Sequence, residues 1–153
     1  MDDAPGTLVT PTRRALEVGL GLATAVVVAL TLLPAGRGWS WGAPLSELHW
    51  YATGWDSPTA MLQLVGNLAL LAPLSALAVF RWPALAAPHR LIGAAVLVGA
   101  GIELLQWTLP LGRVVSPLDA LLNATGAVLT GLVVAGLRTS AEVGTVVVGP
   151  RRR

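Results

Sequence analysis

Residues 61–80 read MLQLVGNLALLAPLSALAVF, 20 residues without a formal charge. A helix crossing the hydrocarbon core of a bilayer needs about 20 mainly apolar residues. This run has the length and lacks the charged face that an amphipathic soluble helix shows. It predicts a membrane span. Outward from it, three more runs repeat the pattern. Ala15–Leu33 is interrupted only by Glu17, Leu91–Leu109 only by Glu103, and Leu118–Leu137 only by Asp119. Four such runs in 153 residues predict an all-α, polytopic membrane bundle of four transmembrane helices. The transmembrane domain is placed at 15–137, flanked by an N-terminal tail at 1–14 and a basic C-terminal tail at 138–153.

Composition agrees. Hydrophobic residues make up 54% and charged residues 12% of the chain, whereas soluble domains carry about 25% charge. That excludes a disordered chain and argues against a water-soluble globule. There is no cysteine, so disulfides, thiolate metal sites and thiol nucleophiles are excluded. The ten basic residues are all arginine and are scattered, apart from the last three. This is not a phosphate-tracking patch, and no nucleic-acid partner is expected.

Arginine also sets orientation. With both termini cytoplasmic, Arg13, Arg14, Arg81, Arg90, Arg138 and Arg151–Arg153 lie inside, and only Arg37 and Arg113 outside. The expected location is the plasma membrane of a bacterium. The first span exceeds a secretory signal's apolar core of about 7–15 residues and contains Glu17, so it is expected to be retained. The long Pro34–Ala60 loop then faces out with Trp39, Trp41, Trp50 and Trp55. Indoles favour the headgroup zone. The loop is expected on the membrane surface, either structureless with anchoring tryptophans or as a ligand lid. The C-terminal tail, with its β-prone run Val143–Val148, is expected to be disordered and drawn to anionic lipid.

Polar residues inside the spans demand a reason, because an Asp at mid-membrane costs about 2.5–3.5 kcal/mol. At a rise of 1.5 Å per residue, Asn67 and Glu103 fall about 9 Å below the outer boundary, and Asn123 about 7.5 Å. Glu103 and Gln106 share a helix face, as do Asp119, Asn123 and Gly126. Gly126 and Thr130 form a small-xxx-small stripe that admits a close neighbour. Ser116 and Pro117 carry a helix-start signal. Pro73 predicts a kink in the second span. Arg113, in the loop between the last two spans, is placed to reach Glu103 or Asp119.

Asn67, Glu103, Gln106, Arg113, Asp119 and Asn123 are therefore the candidate site. Three readings stay open. A polar clasp would fix helix packing or a partner protein. A pocket would bind a lipid headgroup, a cell-wall lipid or a lipophilic drug through Arg113 and the amides. An intramembrane enzyme would use Glu103 as acid or base on a lipid-linked substrate. The sequence leans against an enzyme. A conduction path lacks polar residues in the inner leaflet beyond Glu17. His49 and His89 fall on opposite sides of the membrane, and no metal or cofactor is expected.

Four groups of residues carry a family resemblance. Gly66-Asn67 followed by an apolar run and Pro73-Leu-Ser75 is similar to the second helix of VanZ-like bacterial membrane proteins. Glu103-Leu-Leu-Gln106, Gly112-Arg113, and Asp119, Asn123, Gly126-Ala127 and Gly131 resemble that family's second half. The resemblance implies a small envelope protein with a link to resistance against the glycopeptide teicoplanin, and a lipophilic glycopeptide among its ligands. The family often has Phe at the position of Leu71, Gly at that of Ser75 and an acidic residue near Ser116. The last departure removes a carboxylate from the surroundings of Arg113 and argues against a two-acid mechanism.

Overall fold

A computed structural model describes residues 12–147. The elements run α1 (Arg13–Leu32), β1 (Trp39–Trp41), α2 (Pro44–Thr53), α3 (Pro58–Leu70), α4 (Ala72–Arg81), α5 (Pro88–Thr108), β2 (Arg113–Val115) and α6 (Pro117–Val147). A 3-10 turn, Pro83–Ala86, joins α4 to α5. Four helical stretches are long and apolar enough to cross a membrane: Arg13–Leu32, Pro58–Arg81, Pro88–Thr108 and Pro117–Ala141. The four-span reading is correct, with ends within a few residues of those expected. Leu62 and Leu97 are each 76% exposed, which in water would be a liability and in lipid is the contact surface.

Helix α6 is the hub. It packs against α3, α4 and α5, while α1 leans mainly on α4 and barely touches α3. Small residues make these approaches possible. A methyl group at Gly126 would overlap the backbone carbonyl of Leu68 on α3. One at Gly99 would crowd the carbonyl of Ala120. Val27, Leu71, Ala95, Ile102, Ala124 and Ala127 form the apolar core around these contacts. Ser75, where the family often has glycine, donates its hydroxyl to the Ala127 carbonyl at 2.6 Å and so is satisfied in the core.

The second span breaks where proline predicts. Pro73 has no N–H for the Ala69 carbonyl, and Leu71 separates α3 from α4. At the opposite end from the long loop, Glu17 is paired with Arg13 at 2.9 Å and Arg81 at 3.3 Å. Arg138 donates to the Val79 carbonyl at 2.7 Å.

Two expectations are corrected. Helix α6 continues through Val147, so most of the Val143–Val148 run is helical rather than a disordered tail; residues 148–153 lie outside the described residues. The long loop is not structureless. Its β1 pairs in parallel with β2, with Trp39 opposite Arg113, Ser40 opposite Val114 and Trp41 opposite Val115. The amides of Ala35 and Gly36 both donate to the Leu111 carbonyl, and Gly112 donates to Gly38. Gly112 has φ +67° and lies so close to Gly36 that no side chain fits. The loop is thus strapped to the α5–α6 connection, and α2 is seated beside α3 and α6.

Candidate functional site

The strapped loop, the C-terminus of α1 and the ends of α3, α5 and α6 meet at one end of the bundle. Between them lies a cavity of about 600 Å³. Asn67, Glu103, Gln106, Arg113, Asp119 and Asn123 all line it. Three helices and a loop therefore bring the six sequence candidates to one chamber. Its wall is completed by apolar Leu30, Leu62, Leu70 and Ile102.

Each side chain is held by a definable contact. Ser116 caps α6: its hydroxyl accepts from the amides of Leu118 at 3.2 Å and Asp119 at 3.3 Å, as the Ser-Pro signal predicts. The Ser116 amide donates to Oε2 of Glu103 at 2.8 Å, which fixes that carboxylate against the start of α6. Asn67 donates through Nδ2 to Oδ1 of Asp119 at 2.5 Å, joining α3 to α6. Tyr51 donates to the same oxygen at 3.5 Å.

The cluster differs from a mutual clasp. Only Asn67 and Asp119 bond each other directly. Gln106 donates to the Thr31 carbonyl at 3.0 Å. Arg113 donates to the Leu33 carbonyl through Nε at 3.1 Å and Nη2 at 3.0 Å. The expected reach of Arg113 to Glu103 or Asp119 is replaced by this fork on α1. The reason is physical. The last carbonyls of a helix have no partner within it, orphaned backbone in lipid is costly, and a cation is favoured at a helix C-terminus.

Sequence reasoning missed Glu47, Tyr51, Gln63 and Thr31. Gln63 and Thr31 line the cavity. Glu47 accepts the Ser116 hydroxyl at 2.5 Å, which restores a carboxylate beside Ser116 from the loop helix α2. Burial first, then the carboxylates of Asp119 and Glu47, push Tyr51 up to about 12, so it remains a protonated donor. For Glu47 and Tyr51 the sequence offered only two acidic residues, Glu47 and Asp56, and one phenol in a tryptophan-rich loop. Trp41 and Trp55 are exposed on this end of the molecule. Trp41 lies 6.3 Å, ring to ring, from Trp107.

Asn123 is the exception to this satisfaction. It is 2% exposed, yet its Oδ1 has no hydrogen-bond partner among the described residues. Buried polar atoms are normally paired. Among the described residues no group of three or more His, Cys, Asp or Glu side chains is arranged to hold a metal ion.

Fold and chamber define a class: a four-span membrane protein with a polar cavity under one face and its walls partly apolar. The chain belongs to the VanZ-like family. The VanZ/LLP1 family model matches residues 20–138, a stretch that reaches into all four spans and contains the whole cavity lining. No curated protein and no solved structure matches the chain.

Proposed function

We propose that this protein binds the head of a membrane amphiphile in the cavity: a lipid, a cell-wall lipid or a lipophilic drug. One observation carries the reading. Six polar residues from α3, α5, α6 and the loop before α6 line one chamber whose wall also includes Leu30 and Leu62. Those two leucines are 59% and 76% exposed. The helices α1 and α3 barely touch, and on this reading the gap between them is the chamber's side opening to the hydrocarbon. An amphiphile can keep its tails in lipid while its head enters the polar floor, an arrangement suited to pockets of about 300–1,000 Å³.

On this reading the end with the cavity lies at the outer leaflet of a bacterial plasma membrane and both termini are cytoplasmic, which the arginine distribution supports. Glycopeptide resistance, which the family resemblance implies, fits as sequestration of a lipophilic drug or protection of a cell-wall lipid. The test is photo-cross-linking of the reconstituted protein with a lipid carrying a photoreactive group near its head. Adducts are expected on 62–70 and 102–106. Adducts spread evenly over lipid-facing Leu97 and Leu129 would overturn the reading.

A second reading rests on Glu103 and Asp119 sharing the chamber. Two carboxylates there suit acid–base chemistry on a lipid-linked substrate. Product formation that Glu103→Gln abolishes, while binding persists, would establish it. Binding without product favours the first reading.

A further inference from the structure

Two features of the chamber specify the kind of head it accepts. The first is charge. Glu103 and Asp119 both line it, and neither is ion-paired among the described residues. Glu47 stands behind them, bonded to Ser116. Carboxylates out of water need a compensating charge or donors. The second is Asn123 Oδ1, which is buried on the same wall and has no donor among the described residues. Both features ask for N–H groups with a positive charge. A carboxylate pair alone would accept any cation, but an unpartnered amide oxygen gains most from a donor hydrogen.

The opposite need is met at the loop. Arg113 also lines the chamber. The Leu33 carbonyl engages its Nε and Nη2, which anchors the guanidinium at the chamber's edge. A guanidinium so placed is suited to a phosphate oxygen. The chamber therefore presents a cation at the loop and acceptors on the α5–α6 side.

Resting on the amphiphile-binding reading, we infer that the cavity selects a zwitterionic aminophospholipid headgroup. Its phosphate meets Arg113, and its primary ammonium meets Asp119, Glu103 and the Asn123 amide oxygen. A trimethylated head carries the same charge without N–H donors. A glycerol head has donors but no positive charge. Those two differences separate the features.

The test uses the full chain purified in detergent, with native mass spectrometry reading lipids of identical acyl chains. Phosphatidylethanolamine is expected to be retained about tenfold more than phosphatidylcholine, the order for loss of a charge-assisted hydrogen bond. It is likewise expected to exceed phosphatidylglycerol. Asn123→Ala is expected to bring phosphatidylethanolamine down toward the phosphatidylcholine level. The wild-type ranking stands without that variant if the variant fails to fold. Equal retention of phosphatidylcholine, or preference for phosphatidylglycerol, overturns the ammonium assignment and leaves amphiphile binding intact. Tail-less phosphoethanolamine binding as well as the lipid overturns the lipid assignment. If none of the lipids is retained above background, both this inference and the reading beneath it fall.

Discussion

The hydroxyl of Ser116 donates to Oε2 of Glu47 at 2.5 Å across 69 positions of sequence. The same hydroxyl accepts two amides of α6. One small side chain thus joins the loop helix to the first turn of the hub helix, at the edge of the polar chamber. A hydrogen bond to a charged partner contributes about 1.5–3 kcal/mol. Glu47→Ala is expected to detach α2 without unfolding the spans. Limited proteolysis checks it: cleavage within 42–57 should speed up while the four-span core stays intact. Unchanged cleavage would show that the contact does not hold the loop.

Tyr51 offers a spectroscopic view of that docking, because it is the chain's single tyrosine. Free tyrosine ionises near pH 10, and the folded side chain is pushed up to about 12 by burial and then by the Asp119 and Glu47 charges. A raised pKa means that the folded state holds its proton more tightly than the unfolded state. The stabilisation is therefore full below about pH 10 and is lost as pH rises through about 12. The tyrosinate absorbance band should appear near pH 12 in the native protein. In Glu47→Ala it should move toward 10.

Helix packing is tested by a pair of glycines on α6. Gly126 abuts the Leu68 carbonyl, whereas Gly136 has nothing within 4 Å of an added Cβ. Gly126→Ala forces α3 away from α6 and is expected to cost about 1–3 kcal/mol. Gly136→Ala is expected to be neutral or to stabilise by about 0.5–1 kcal/mol through helix propensity. Thermal unfolding in detergent distinguishes them. Equal effects would contradict the close α3–α6 approach.

Gln106 separates a structural from a ligand-binding duty within the chamber. It satisfies the Thr31 carbonyl at the end of α1. Gln106→Leu leaves that carbonyl unpaired and is expected to cost about 1–3 kcal/mol. Asn123 Oδ1, with no protein partner among the described residues, has no such bond to lose. Unfolding curves of Gln106→Leu and Asn123→Ala should therefore differ, with the first melting lower.

Much of this was legible in the sequence because a membrane supplies a ruler. Hydropathy located the spans, and a fixed rise per residue put Asn67, Glu103 and Asn123 at one depth. Local chemistry gave the Ser116 cap, the break at Pro73 and the bare face at Gly126. What escaped lies where the ruler does not reach. Glu47 and Tyr51 sit in a loop, and nothing local ties α2 to α6. The β1–β2 pairing joins three-residue strands that the chain separates by nearly half its length. The partner of Arg113 is a backbone carbonyl of Leu33, which no side-chain pattern encodes. Helix α6 outran the expected boundary because β-branched residues such as Val143 and Val146 lower helix propensity only slightly.

The convergence of polar side chains is tested most directly by cross-linking in intact membranes. The chain has no cysteine, so an introduced pair is unique. With Asn67→Cys and Asp119→Cys combined, a short bifunctional thiol reagent should join α3 to α6 efficiently. Either thiol alone, at the half-buried position 67 or 119, should react with a small polar thiol reagent. Thiols at 67 and 119 that each react singly but never cross-link would contradict the chamber, and with it every function placed there.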